Sequence, residues 1–234
     1  MTVPASVERI VSIARDLGPL ASEVVFIGGA IAPLLHTEAR IPRTRPTKDV
    51  DGVIASHTYT DSDRIHRELR NLGFRHDRAA SGHLHRWIAS SGGVFDLVPA
   101  GDHTGGSGNP WDVAAIASAV SVIIDGVAFR HAAAPAFIAM KVEAFNDRGG
   151  GDPLASHDIE DVVALIACRA SIVSDVATAD QAVRARVRQF ASHLIESGAA
   201  EELLASHLNN ADDVRSTVRI ALERISMIGT GRRG

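Results

Sequence analysis

Apolar positions recur along this chain with two different periods. Val7, Ile10, Val11, Ala14 and Leu17 fall at helical spacing, and Gly18-Pro19 stops the helix they predict. Val24 to Ile27 is a short uninterrupted apolar run, as in a buried strand. Gly28-Gly29 then permits a tight turn, and Ala30 to Leu35 starts a helix. Residues 36–47 are polar and contain Pro42 and Pro46, which predicts a loop. Lys48 to Ala55 is a second strand, and a helix from Asp61 to Asn71 closes with Leu72-Gly73-Phe74. His83 to Ala89 and Val94 to Val98 are expected to pair antiparallel across Ser90-Ser91-Gly92-Gly93. Residues 101–110 are glycine-rich. Val120 to Ile124 and Val127 to Arg130 flank Asp125-Gly126, the signal of a type I′ hairpin.

After Pro135 the pattern becomes helical throughout. One helix runs from Pro135 to Phe145, and Asn146 to Pro153 breaks it. A second spans Ser156 to Arg169, with Ile159, Val162, Val163 and Ile166 on its apolar face. Further helices are expected over Ala177–Glu196, Ala200–Leu208 and Asp212–Ile228. The fold class is therefore α+β: a mixed sheet with flanking helices in residues 1–133, followed by a helical part in residues 134–234.

Composition narrows the function classes. Aromatic residues make up only 4 %, so stacking platforms for single-stranded nucleic acid are scarce. The net charge of -4 argues against a general nucleic-acid coat, although residues 36–90 hold ten Lys/Arg against seven Asp/Glu. The single Cys168 cannot form an internal disulfide, which fits a reducing compartment. No apolar run approaches the ~18 residues of a membrane span, and no secretory leader is recognisable. The expectation is a cytoplasmic protein with no membrane partner.

Candidate chemistry centres on Asp49 and Asp51. Side chains alternate along a strand, so both point to one face. Adjacent carboxylates repel, and placing them together calls for a cation. Hard oxygen ligands of this kind suit magnesium, which also takes substrate phosphates. The backbone N–H groups of the Gly28-Gly29 turn make an anion site where a helix begins. Asp96 stands between apolar neighbours, where an unpartnered acid is costly. If its strand lies beside that of Asp49 and Asp51, three carboxylates converge as in a two-metal site for displacement at phosphorus. The alternative for Asp96 is a water-facing carboxylate on an edge strand.

Gly28-Gly29, Asp49-Val50-Asp51 and an acid in an apolar strand resemble the nucleotidyltransferase superfamily with the polymerase-β-like catalytic fold, over most of residues 24–100. The AbiEii/MenT-like group of toxin nucleotidyltransferases is more similar still. Its Arg-x-Thr-x-Asp-x-Asp pattern is here Arg45-Pro46-Thr47-Lys48-Asp49-Val50-Asp51. Its helical lysine and downstream arginine correspond to Lys141 and Arg148, and its Asp-x-x-Asp helix to Asp158-Ile159-Glu160-Asp161. With these the resemblance extends to Ile166. Two departures stand out: Gly28-Gly29-Ala30 lacks the serine found there in many members, and the interval from Gly29 to Asp49 is long.

The resemblance implies transfer of an NMP from an NTP to an acceptor hydroxyl, with magnesium or manganese on Asp49, Asp51 and Asp96 and with Asp96 as base. Gly28 and Gly29 would cradle phosphate, while Arg45, Thr47, Lys48 and Lys141 bind the nucleotide. The acceptor would be RNA, such as a tRNA 3′ end, and the partner a cognate antitoxin. Aminoglycoside and lincosamide nucleotidyltransferases share much of the pattern, so a small-molecule acceptor is the first alternative. A catalytically silent nucleotide-binding module is the second.

Lys141 lies in an apolar helical stretch, where its stem can pack while the ammonium reaches a triphosphate. Asp158 and Asp161 share a helix face, and Asp161 is the expected partner that orients Lys141; a structural inter-helix ion pair is the plainer alternative. Arg64, Arg67, Arg70, Arg75, Arg78 and Arg86 form a basic stretch that suits either an RNA backbone or a solvated face. Arg40, Arg43 and Arg45 of the 36–47 loop are expected to reach toward phosphates or an acceptor. His83 and His85 lack a further ligand at zinc spacing. Trp87 and Trp111 are expected to pack.

Overall fold

The computed structural model describes residues 3–41, 47, 49–77, 85–100, 109–148 and 151–231. Arg43, Arg45, Lys48, Arg78 and His83, and the glycine-rich stretch 101–108, lie outside the described residues. The chain forms two compact units: Met1–Pro33 with Pro46–Ala133, and Leu34–Arg45 with Ala134–Gly234.

The first unit begins with α1 (Ala5–Leu17), followed by β1 (Val24–Ile27) and a 3-10 turn, Gly29–Ile31. The helix expected from Ala30 shrinks to α2 (Ala32–Leu35). Then come β2 (Val50–Ala55), α3 (Tyr59–Asn71), β3 (Arg75–His76), β4 (Arg86–Ile88), β5 (Val94–Ala100), α4 (Asp112–Ala117), β6 (Val120–Ile124) and β7 (Val127–His131). Among the described residues seven strands form one sheet in the order β3-β4-β5-β2-β1-β7-β6. The sheet is mixed: β2 runs parallel to β5 and β1 parallel to β7, while the other neighbours are antiparallel.

The central strands carry the core of this unit. Val24, Val25, Phe26, Val53, Phe95 and Leu97 are buried, as are Ile10, Ala14 and Leu17 of α1. Phe26 meets Phe95 and Phe129 with ring centroids 6.0 and 5.6 Å away. Asp125 and Gly126 have φ values of 49° and 74°, so both central residues of the hairpin are left-handed as a type I′ turn requires. Helix α3 starts two residues before the expected Asp61. Thr58 caps it by accepting from the Asp61 N–H at 3.1 Å, while the Asp61 carboxylate accepts from the Thr58 N–H at 3.0 Å. Strand β3 and helix α4 have no clear sequence signal; both are short.

The second unit, among its described residues, contains no strand. It comprises α5 (Ala134–Asp147), α6 (His157–Cys168), α7 (Ile172–Thr178), α8 (Gln181–Glu196), α9 (Ala200–His207) and α10 (Val214–Thr230). The expected helix from Ala177 is two helices, because Asp180 interrupts it and caps α8 through the Ala182 N–H at 2.8 Å. The end of α2, from Leu34, and the residues after it belong to this unit. The Thr37 and Glu38 N–H groups both donate to the Cys168 carbonyl at 2.8 Å. Arg224 holds Glu38 at 2.6 Å, and Arg169 donates to the Leu35 carbonyl at 3.0 Å. Arg40, expected to face phosphates or an acceptor, instead pairs with Glu38 at 2.6 Å. No described helix is long and apolar enough to cross a membrane.

Candidate functional site

Strand pairing in the first unit brings the acidic residues together. β2 and β5 lie side by side in parallel, with Asp51 opposite Asp96 and Val50 opposite Phe95. Val50 and Phe95 face the core, so Asp49, Asp51 and Asp96 share the other face. β5 lies between β4 and β2, so Asp96 is not on an edge strand. Its side chain is only 19 % exposed, against 44 % for Asp49.

The cation that these acids require is Arg86. Strand β4 pairs Arg86 directly opposite Asp96. The guanidinium donates Nε to Asp96 Oδ1 at 2.8 Å and Nη2 to Asp96 Oδ2 at 2.6 Å. The same Nη2 reaches Asp49 Oδ2 at 3.1 Å. This forked geometry is the strong form of an Arg–carboxylate pair. The Asp96 hydrogen bonds, with help from Asp49, raise the Arg86 pKa further above an already basic value, so the charge is permanent. Arg86 is thus not part of a solvated basic face. The local signal was the turn at residues 90–92, closed by the Ala89 N–H donating to the Gly93 carbonyl at 2.9 Å, which pairs Ile88 with Val94, Trp87 with Phe95, and therefore Arg86 with Asp96.

The rest of the basic stretch behaves differently. Arg64 pairs with Glu23 at 2.8 Å and Glu68 at 3.1 Å, whereas Arg67, Arg70 and Arg75 are exposed. Trp87 is buried, flanked by His66 and His76 with ring centroids 5.3 and 4.9 Å away, so it packs as expected. Trp111 precedes α4 at its N-cap position.

Gly28 has φ 70° and ψ -172°, a conformation essentially restricted to glycine. It also stands against Asp51: a Cβ there would lie 2.1 Å from Asp51 Oδ2. The glycine requirement therefore comes from the acid as well as from the turn. Gly29 begins the 3-10 turn, and because α2 is a single turn, it offers little helix dipole to an anion. The Thr47 hydroxyl lies 3.5 Å from the Asp49 carbonyl, and the Thr47 carbonyl accepts from Arg9.

Three carboxylates on one face have the donor chemistry that magnesium or manganese takes. The Asp51 carboxylate packs against Gly28, in the space that a Cβ there would take. As they stand, no group of three or more His, Cys, Asp or Glu side chains among the described residues is gathered tightly enough to ligate one ion. On that face Arg86 lies between Asp96 and Asp49. The residue types fit a divalent ion, while the clamped arrangement does not yet present them to it.

The second unit has its own polar cluster. Lys141 of α5 pairs with Asp161 at 2.6 Å and with Asp158 at 3.1 Å, both on α6. Asp161 is the nearer partner, and Asp158 also takes Arg148. Lys141 further lies 5.7 Å from the Phe137 ring centroid. His36, which carries no signal in the sequence pattern, is near enough to feel the Asp161 charge. Burial lowers the His36 pKa, opposed by Asp161. His36 is therefore neutral in the fold, whereas the unfolded chain binds a proton near pH ~6.5. Its contribution to stability is complete above that pH and is lost as pH falls through the folded pKa. We expect the urea midpoint to drop between about pH 7.5 and about pH 5.5, and the drop to be smaller in His36→Gln. An unchanged pH dependence in that variant would contradict the assignment. The helical unit also contains a cavity of ≈ 680 Å³, walled by Val142, Phe145, Phe190, Leu194 and Leu203; none of Asp49, Asp51 and Asp96 lines it.

The fold is similar to that of a solved structure. It is the crystal structure of an antigenic nucleotidyltransferase-like protein from Paracoccidioides brasiliensis. The two align with a TM-score of 0.53 at 16 % identity, over 86 % of this chain and 92 % of that one. At this identity the likeness establishes the fold: a mixed α+β arrangement with a helical C-terminal part. No family model and no curated protein matches the sequence.

Proposed function

We propose that this protein is a metal-dependent nucleotidyltransferase that moves an NMP from an NTP to an acceptor hydroxyl. The observation that carries the proposal is the in-register Asp51–Asp96 pair with Asp49 on the same face, beside a turn where only glycine fits against Asp51. The shared fold with a nucleotidyltransferase-like protein supports it.

In this reaction the acceptor oxygen attacks the α-phosphorus and a new P–O bond forms. The bond from that phosphorus to the bridging oxygen breaks, and pyrophosphate leaves with the electron pair. The hydroxyl proton passes to the Asp96 carboxylate. Asp49, Asp51 and Asp96 would hold magnesium or manganese, which when bound neutralises triphosphate charge. The Gly28-Gly29 turn presents backbone N–H groups to phosphate, with Arg45, Thr47 and Lys48 as further nucleotide contacts. Lys141, paired with Asp161, is proposed for triphosphate binding on the sequence resemblance.

RNA, such as a tRNA 3′ end, is the proposed acceptor, and the exposed Arg67, Arg70 and Arg75 suit its backbone. The physiological role would be that of a cytoplasmic toxin of the AbiEii/MenT-like kind, held by a cognate antitoxin. The test incubates the full chain with labelled NTPs and either total tRNA or a panel of aminoglycosides and lincosamides. Asp51→Asn should lower transfer on the order of a hundred- to a thousandfold while its circular dichroism is unchanged. Label appearing only on an antibiotic would sink the RNA acceptor. Wild-type expression should arrest growth and Asp51→Asn should not.

A second reading is favoured by Arg86. Its hold on Asp96 and Asp49 is what a catalytically silent nucleotide-binding module would retain. That reading predicts an NTP-induced thermal shift, no transfer, and no effect of Asp51→Asn.

A further inference from the structure

We infer that Arg86 is a latch on the acidic site: its guanidinium occupies the cation position between Asp96 and Asp49 and must leave before a divalent ion can take it. The inference rests on the nucleotidyltransferase proposal for the identity of the incoming ion, and on the geometry of Arg86 for everything else.

Both oxygens of Asp96 receive a hydrogen bond from Arg86, at 2.8 and 2.6 Å. The third bond, to Asp49 Oδ2 at 3.1 Å, joins two of the three carboxylates through one positive group. A metal ion approaching these acids would meet a like charge within a few ångströms, which disfavours it strongly at the dielectric of a protein surface. While the fork is closed, the Asp96 oxygens are also poor acceptors for a substrate proton.

Charge balance indicates what opens the latch. Asp49 and Asp96 carry two negative charges and Arg86 one positive charge, so the clamp is already largely balanced. A single divalent ion would overcompensate it and still faces the guanidinium. A divalent ion arriving with a triphosphate brings net negative charge, to which the freed guanidinium can turn. The pair should therefore open the site together, whereas the metal alone binds weakly. Position favours such movement: Arg86 is the first residue of β4, a three-residue strand, at one end of its pairing with β5. Arg86 is a positioning residue in this scheme, acting on the acids rather than on the reacting atoms.

The test is manganese binding to the full chain without nucleotide, followed by the electron paramagnetic resonance of free Mn2+. Thermal melting is recorded in parallel. Wild type should bind weakly, and Arg86→Gln at least about tenfold more tightly, as expected on removing a nearby like charge. Its melting temperature should be lower than that of wild type without metal and should rise on adding Mn2+, while wild type barely responds. Arg86→Lys, which keeps the charge and loses the fork, should bind with intermediate affinity, and it carries the test if Arg86→Gln does not fold. Adding Asp51→Asn to Arg86→Gln should abolish the gain, locating the ion at these acids.

Equal or weaker Mn2+ binding by both Arg86 variants overturns the latch while leaving the proposed function standing if wild type binds Mn2+ together with NTP. Absence of Mn2+ binding by every form, with or without NTP, overturns both. A wild type that binds Mn2+ alone as tightly as Arg86→Gln overturns the latch alone.

Discussion

Lys141→Ala is expected to destabilise the helical unit by about 3–5 kcal/mol, the usual cost of removing one partner from a buried ion pair. The side chains of Asp158 and Asp161 are only 6 % and 10 % exposed, and Lys141 is 12 % exposed. Asp158 keeps Arg148 after the substitution, so Asp161 bears most of the loss. Urea unfolding followed by far-UV circular dichroism measures the effect. A change below about 1 kcal/mol would show that water reaches the cluster freely. Removing the charges together, in Lys141→Met/Asp158→Asn/Asp161→Asn, should recover most of the stability, because no buried charge is then left alone. That triple variant also separates the two roles proposed for Lys141. If the ammonium binds triphosphate, the variant stays folded but its KM for NTP rises. If Lys141 only joins α5 to α6, KM is unchanged.

Gly28→Ala is the second large effect. The backbone at this position lies where a Cβ costs about 1–3 kcal/mol in strain alone. The added methyl would also lie 2.1 Å from Asp51 Oδ2, so the carboxylate has to move. We expect a lower urea midpoint together with loss of the proposed nucleotidyl transfer, since the Asp51 carboxylate is pushed from its place against Gly28. A variant as stable as wild type would contradict the positive-φ turn at Gly28. A variant with transfer abolished but a retained NTP-induced thermal shift would show that Gly28 serves Asp51 more than it serves phosphate.

Much of the fold was legible because its signals are local. The alternation through Val50 to Ala55 placed Asp49 and Asp51 on one face, and Asp125-Gly126 specified a hairpin through its two left-handed residues. The apolar positions Ile159, Val162, Val163 and Ile166 identified the buried face of α6. Misplaced boundaries came from competing local chemistry: Thr58 starts α3 before Asp61, and Asp180 divides α7 from α8. The two-residue β3 and the six-residue α4 are too short for any period to emerge.

The candidate site was legible in its acids and not in its cation. Asp96 in an apolar strand signals a buried charge in need of a partner, and the sequence points to a partner outside the chain. The partner lies ten residues earlier, in a run of arginines whose other described members are exposed or paired on the surface. Composition cannot distinguish one arginine of such a run from another; register can, because it decides which side chain faces which.

By itself, then, the sequence determined the periodic elements, the shared face of Asp49 and Asp51, and the glycine turn that leads toward them, since each depends on neighbours a few residues apart. Only the tertiary structure decided that β2 lies against β5 so that Asp51 meets Asp96, that Arg86 closes over Asp96 and Asp49, and that Lys141 is held by both Asp158 and Asp161. These are pairings between distant segments, selected by which faces bury together and which charges would otherwise be left alone in the interior.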